Sequence, residues 1–454
     1  MSALIRPGMA KAHVAPHTAA LLAVGCGTAA ASVCAVGLFH IEGLLGGVWS
    51  VAAVLAAGLV CLMLAGALGR LADVVPSGAG LLAYLARGLG RSIGLVLVVP
   101  YVLLTLLLAG AEAVIVGLLL SRLVPVPVPV GALLFLIVTW LLCRRGVRVS
   151  YRVQAAATWA LIAGLGVVSL AAIYQAAQRG ELLARLVPAA PNAGDFAAGM
   201  GQALFLFMGF ELVTSQAEIA ATPRSIGRAL TGSVGVLAGF YSLVSLGFSC
   251  LPERLPGGSA ALVPQLDLAD QAGGGWVVVL IAGLSLLASF TSFHGALLAL
   301  SRFTSALAAQ GMLPRRFARI EPRTLMPRSA LALLLALTLA ATALVWFGKA
   351  LRPSILAAAF AVAIVYAASA WARERPPFAA NGRSVIWRWL SGSLSAGLVV
   401  LALGVLIDAG PALAGTVAVL SVAYLAALGL VLAGPWRAGR PHRILPAEGA
   451  SHVP

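Results

Sequence analysis

Twelve runs of about twenty apolar residues, parted by short breaks of arginine, proline and glycine, constrain this chain more than any other feature. The hydrocarbon core of a bilayer is about 30 Å thick, and a helix needs roughly 20 residues to cross it. The runs fall at roughly 17–40, 46–69, 93–121, 126–143, 154–177, 197–217, 228–250, 276–307, 329–347, 353–372, 389–408 and 411–434. Lipid gives the backbone no hydrogen-bond partners, so segments of this kind are expected to be helical. Only 10% of the 454 residues are charged and 61% are hydrophobic, whereas a soluble domain carries about 25% charge. The 50 glycines and 24 prolines suit membrane helices, whose packed neighbours re-satisfy the backbone. An all-α polytopic membrane protein of about 12 transmembrane helices follows.

The breaks assign an orientation. With the N-terminus in the cytoplasm, 24 of the 30 lysines and arginines lie on the inner side, leaving Arg122, Arg179, Arg185, Arg254, Lys349 and Arg352 outside. This obeys the rule that cytoplasmic loops are basic. It also accounts for the net charge of +16 through orientation and contact with anionic lipid, with no nucleic-acid partner. The expected organisation is a cytoplasmic segment 1–16, one transmembrane domain 17–434 and a cytoplasmic tail 435–454, in the cytoplasmic (inner) membrane. The N-terminus has no apolar core followed by a small-residue cleavage site, so the first span is expected to stay in place. Residues 70–90 and 310–327 mix apolar residues with arginine at helical spacing and are expected to form interfacial helices. The five cysteines have no metal-ligand spacing and are read as packing residues.

A charge inside a span is costly and therefore a functional candidate. Three ionisable residues qualify: Glu112 in LLLAGAEAVIVG, Glu211 in LFLFMGFELV and His294 in LLASFTSFHGALL. Glu211 follows Gly209 in a span rich in glycine and phenylalanine, where a helix break could line a cavity. Each has an ordinary alternative as a hydrogen-bonded packing residue. There is no HExxH, GxSxG or phosphate-binding loop and no carboxylate cluster for a metal, so no enzyme, cofactor or metal centre is expected.

Four segments, in order, resemble the amino acid–polyamine–organocation (APC) superfamily of permeases. They are PSGAGLLAYLARGLG from Pro76, RGVRVSYRVQAAAT from Arg145, FLFMGFELVTSQAEIAATPRSIGRAL from Phe205 and LSRFTSALAAQGMLPRRFARI from Leu300. The resemblance implies two inverted five-helix repeats (LeuT-like) plus two helices, with helices 1 and 6 broken near the midplane. Main-chain groups at those breaks would hold the carboxylate and amino groups of an amino acid. Phe205 falls at the family's aromatic gate, Leu206, Phe207, Met208 and Gly209 at the helix 6 break, and Glu211 at a proton-linked carboxylate. Glu112 and His294 are further candidates for coupling. Counting back from the helix 2 motif puts the helix 1 break at Ser32, Val33 and Cys34, although the family's glycines are missing there; Gly25-Cys26-Gly27-Thr28 is the alternative. A lysine common in the family appears here as Leu161, and an acidic residue of the helix 2 motif as Arg70.

The function implied is secondary active transport of amino acids or related amines by alternating access, either as uptake coupled to H+ or as substrate exchange. Glu112 would suit a cationic substrate; Phe205 and its apolar surroundings suit a neutral one. The degenerate helix 1 leaves another possibility, a transport-inactive sensor or membrane partner subunit.

Overall fold

The computed structural model describes residues 16–251, 263–349 and 351–375, with four more at 392, 393, 397 and 398. The described elements are all helical. They are α1 (Thr18–Ala29), α2 (Cys34–Leu44), α3 (Gly47–Val74), α4 (Leu81–Leu89), α5 (Arg91–Leu123), α6 (Val128–Arg144), α7 (Val147–Gln178), α8 (Leu182–Leu186), α9 (Ala193–Leu206), α10 (Pro223–Ser249), α11 (Pro264–Gly273), α12 (Gly275–Ala309), α13 (Arg328–Phe347) and α14 (Leu351–Ala372). Local chemistry sets several ends. Asn192 caps α9 by accepting from the Asp195 N–H at 2.8 Å, and Pro223 opens α10, where a missing N–H does no harm.

Among the described residues seven segments are long and apolar enough to cross a membrane, or eight if α1 and α2, bent by 64°, count as one broken span. Eight of the first ten expected spans each fall on one helix, whereas 17–40 covers α1, α2 and the break between them, and 197–217 covers the end of α9 and the 3-10 segment Phe210–Gln216. Those at 389–408 and 411–434 lie outside the described residues apart from the four helical positions named above, as do most of the N-terminal segment and the whole C-terminal tail. Large apolar side chains such as Val167, Tyr174, Trp276 and Phe347 are more than half exposed on the outside of the bundle, where a lipid environment makes exposure favourable.

The interior is built around α1. Eight of its twelve residues are buried, and it packs against α7, α10 and α12. The most extensive pairing among the described helices is α3 with α10, where a Cβ on Gly69 would stand 2.8 Å from the Gly227 Cα; small residues let these backbones touch.

Two expectations about the connections fare differently. Residues 70–90 do contain an amphipathic helix, α4, with Leu81, Leu82, Tyr84 and Leu85 buried and Arg87 exposed. Residues 310–327 do not form a helix beyond the short 3-10 turn Arg315–Ala318. Gly311 at φ +77 and Leu325 at φ +55, with prolines at 314, 322 and 327, prevent an α-helix from continuing.

Candidate functional site

Two chain breaks face one another in the middle of the bundle. The first separates α1 from α2 at residues 30–33, so Ser32 and Val33 lie in it and Cys34 begins α2. The glycines upstream, proposed as the alternative break, lie inside α1 and serve close packing instead. A Cβ on Gly27 would run into the Gln154 and Thr158 side chains of α7, and one on Gly25 into Ser233 of α10.

The second break follows α9. Phe207 and Met208 leave the helix, Gly209 adopts φ +110 and ψ −22, and residues Phe210–Gln216 continue as a 3-10 helix. Only glycine takes this conformation without strain. The position is also crowded, because a Cβ there would lie 2.9 Å from the Thr28 carbonyl oxygen. Thr28 Oγ1 shares its one proton between the Val24 carbonyl of α1 at 2.7 Å and the Gly209 carbonyl at 2.9 Å, which brings the end of α1 against the break in the other span.

Each break is held by one buried carboxyl group. Glu112 of α5 is 1% exposed, and its oxygens accept from the Val33 N–H at 2.8 Å and the Ser289 hydroxyl of α12 at 2.7 Å. Glu211 is fully buried. It accepts from the Gly209 N–H at 2.9 Å, the Tyr101 hydroxyl of α5 at 2.5 Å and the Tyr366 hydroxyl of α14. Unwinding frees backbone N–H groups that lipid cannot satisfy, and a carboxylate oxygen is the strongest acceptor available for them.

His294, also fully buried, belongs to a separate cluster joining α1, α7 and α12. Its Nδ1 lies 2.8 Å from Gln154 Oε1. Gln154 Nε2 donates to the Thr291 carbonyl at 2.9 Å, which leaves Oε1 as an acceptor and makes His294 Nδ1 the donor. Thr158 in turn donates to the Ala23 carbonyl at 3.1 Å. Leu161 is fully buried one turn further along α7.

A cavity of about 120 Å³ opens beside the helix 1 break, bounded by α2, α7, α10, α11 and α12. Ser32 and Cys34 line it, with Leu161, Phe240, Tyr241 and Gln265 among the other walls. No charged side chain lines it among the described residues. Ser32 Oγ is buried with no hydrogen-bond partner among the described residues. Phe205, Leu206, Phe207, Met208 and Gly209 do not reach this cavity. Leu206 packs toward Gly37 of α2, and Phe207 meets Tyr241 edge-on with ring centres 5.9 Å apart. Thus one wall of the expected site is present at the cavity, while the helix 6 residues form a closed layer beside it.

Several partners escaped a search restricted to charged residues. Tyr101, Tyr366, Ser289 and Gln154 are polar groups inside apolar spans and were legible on that ground alone. Glu42, at the end of α2, is half-buried. It accepts from the Gly47 N–H at 3.0 Å, Ser245 at 3.3 Å and Ser249, which joins the ends of α2 and α10 to the start of α3.

Fold and site together define a polytopic all-α membrane protein in which two broken helices meet inside a bundle of membrane-length helices. The pattern of the amino acid permease family matches residues 18–433, and the chain belongs to that family. It is 34% identical to human cationic amino acid transporter 4 over 134 residues, 29% of this chain and 20% of that protein. It is 31% identical to the vacuolar cationic amino acid transporter 4 of Arabidopsis thaliana over 212 residues, 44% of this chain and 33% of that protein. An uncharacterized transporter of Mycobacterium tuberculosis is 28% identical over 130 residues, 28% of this chain and 29% of that protein. The matched regions therefore span a third or less of each of these relatives.

Proposed function

We propose that this protein is a secondary transporter that carries amino acids with uncharged, apolar side chains across the cytoplasmic membrane by alternating access. The cavity beside the helix 1 break carries the proposal. Among the described residues its walls hold no acid or base to pair with a charged side chain, and burying an unpaired charge is prohibitive. At its inner edge the unpartnered Ser32 hydroxyl is available to a substrate carboxylate, and the N-terminus of α2 favours negative charge there. The substrate amino group falls to main-chain carbonyls between Leu206 and Gly209 when the layer led by Phe205 moves aside.

Coupling to H+ is assigned to Glu211 and Glu112, with His294 as a third group. A proton on either carboxyl group removes an acceptor from the break it holds, so protonation loosens the joint that must move. The inner position of both termini rests on the 24 to 6 division of basic residues.

A second substrate class is favoured by the relatives, two of which are named cationic amino acid transporters. One experiment separates the possibilities. The purified chain is reconstituted in liposomes, and uptake of labelled leucine and labelled lysine is measured with and without an imposed pH gradient. Leucine uptake that rises with the gradient supports the proposal. Lysine uptake alone moves the substrate to the cationic class, indifference to the gradient removes H+ coupling, and no uptake of either removes transport.

A further inference from the structure

At one end of the bundle, two connections that are distant in sequence are locked together. The Val147 N–H, at the start of α7, donates to the Thr324 carbonyl at 3.0 Å in the segment between α12 and α13. That segment is ordered without being a helix. The Arg302 guanidinium donates to the Leu325 carbonyl at 2.8 Å, and Leu325 N–H returns to Glu321 at 2.8 Å. Arg145 and Arg152 on one connection and Arg315, Arg316, Arg319 and Arg323 on the other are all exposed.

Residues 143–153 and 310–328 contain one acid, Glu321, and it is engaged by Arg328 at 3.1 Å. None of the six arginines makes an ion pair among the described residues. Such a concentration of like charge is unfavourable unless an anion offsets it. Apolar groups sit among the charges, Ile320 at 44% and Val149 at 41% exposure. Trp140, at the end of α6, carries the Arg144 guanidinium over its ring at 4.5 Å, and tryptophan marks the level of lipid headgroups.

We propose that this face is a binding site for the phosphate headgroup of an anionic phospholipid, shared between the α6–α7 and α12–α13 connections. Arginine forks suit phosphate oxygens, while Ile320 and Val149 enter the acyl boundary. A soluble acidic protein would meet the charges but would gain nothing from the apolar residues at headgroup depth. The site also has mechanical reach. α12 carries Ser292, which bonds the Thr28 carbonyl at 3.1 Å, and Ser289, which bonds Glu112; a lipid held here therefore loads the helix that meets α1 directly and the helix 1 break through Glu112.

The test uses the full chain in an uncharged detergent, with short-chain phosphatidylglycerol, short-chain phosphatidylcholine or inorganic phosphate added separately. Thermal midpoint and native mass spectrometry are read, since a ligand of the folded state raises apparent stability. Phosphatidylglycerol is expected to bind and to raise the midpoint; phosphatidylcholine and phosphate at equal concentration are not. Each arginine removed should weaken lipid affinity about fivefold, so Arg319→Gln and Arg323→Gln singly show that step. The combination with Arg315→Gln and Arg316→Gln should weaken it on the order of several hundredfold. Arg70→Gln with Arg87→Gln, exposed arginines elsewhere, should leave it unchanged. An undiminished response in the quadruple variant, an equal loss in the control pair, or an equal response to phosphatidylcholine or phosphate would each overturn the site.

Discussion

Replacing Gly209 with alanine tests whether the two breaks are locked to each other. At φ +110 an alanine backbone is strained by about 1–3 kcal/mol. The new Cβ would stand 2.9 Å from the Thr28 oxygen, 3.0 Å from its carbonyl carbon and 3.2 Å from the Ala29 nitrogen. All three are main-chain atoms and cannot rotate away, so α1 must retreat by a few tenths of an ångström. That retreat stretches the 2.9 Å contact from Thr28 Oγ1 to the Gly209 carbonyl, worth at most about 0.5–1.5 kcal/mol because the Val24 carbonyl at 2.7 Å shares the same proton. Together these give a loss of about 2–4 kcal/mol, read as a fall in thermal midpoint of the purified protein and as a loss of amino acid uptake in liposomes. Gly235→Ala is the control. Gly235 lies within α10, a Cβ there meets nothing within 4 Å, and alanine should be neutral or stabilise by up to about 1 kcal/mol. If Gly209→Ala left midpoint and uptake as unchanged as Gly235→Ala does, the packing of one break against the other would have no energetic consequence.

Glu112→Ala leaves the Val33 N–H and Ser289 without their acceptor and should cost about 1–3 kcal/mol, while Glu112→Gln retains an acceptor oxygen and should keep most stability but lose gradient-driven uptake; thermal melts and the liposome assay read the two effects separately. Tyr101→Phe and Tyr366→Phe each remove a donor to Glu211, and a double-mutant cycle on thermal stability should show coupling of at least about 0.5 kcal/mol, because both donors serve one carboxyl group. Glu42→Ala strips the acceptor from Ser245 and leaves Gly47 N–H with the Ser249 hydroxyl at 3.0 Å and Ser249 with the Ser245 carbonyl at 3.1 Å, so it should destabilise by about 1 kcal/mol, measurable by urea or thermal unfolding in detergent.

Much of the fold was legible because membrane helices advertise their length and their ends. Arginines at 70, 87, 91, 144 and 145 mark where apolar runs stop, and helices α3 to α7 begin or end within a few residues of them. The three ionisable residues picked out by the cost of burying charge are all buried, Glu112 at 1% and Glu211 and His294 at 0%. What they touch was not legible. Glu112 meets Val33 across 79 residues and Ser289 across 177, and only packing decides such pairs. The glycines of α1 misled for a related reason: glycine signals either a broken backbone or a close neighbour, and a one-dimensional pattern carries no neighbours. The failed helix at 310–327 shows the reverse case, where arginine spacing looked helical but proline and left-handed backbone excluded it.

The pairing of acid and break follows from solvation. Breaking a helix in water is cheap, because water takes up the freed N–H groups; in the bundle interior each freed group needs a protein acceptor. Conversely, a carboxyl group in that interior needs donors, and intact helices offer it none along their length. Break and acid therefore stabilise each other, and neither is favourable alone. Here the relation appears twice, once between helices (Glu112 on Val33) and once within the broken span (Glu211 on Gly209). It predicts asymmetric repair: adding glycines at residues 32–34 should change little while Glu112 is present, because the break is held open by an acceptor and not by backbone freedom. Thermal midpoints of Val33→Gly in the Glu112 and Glu112→Ala backgrounds decide this. A much larger cost of Val33→Gly with Glu112 present than without it would show that the side chain of Val33, and not the carboxyl group, shapes the break.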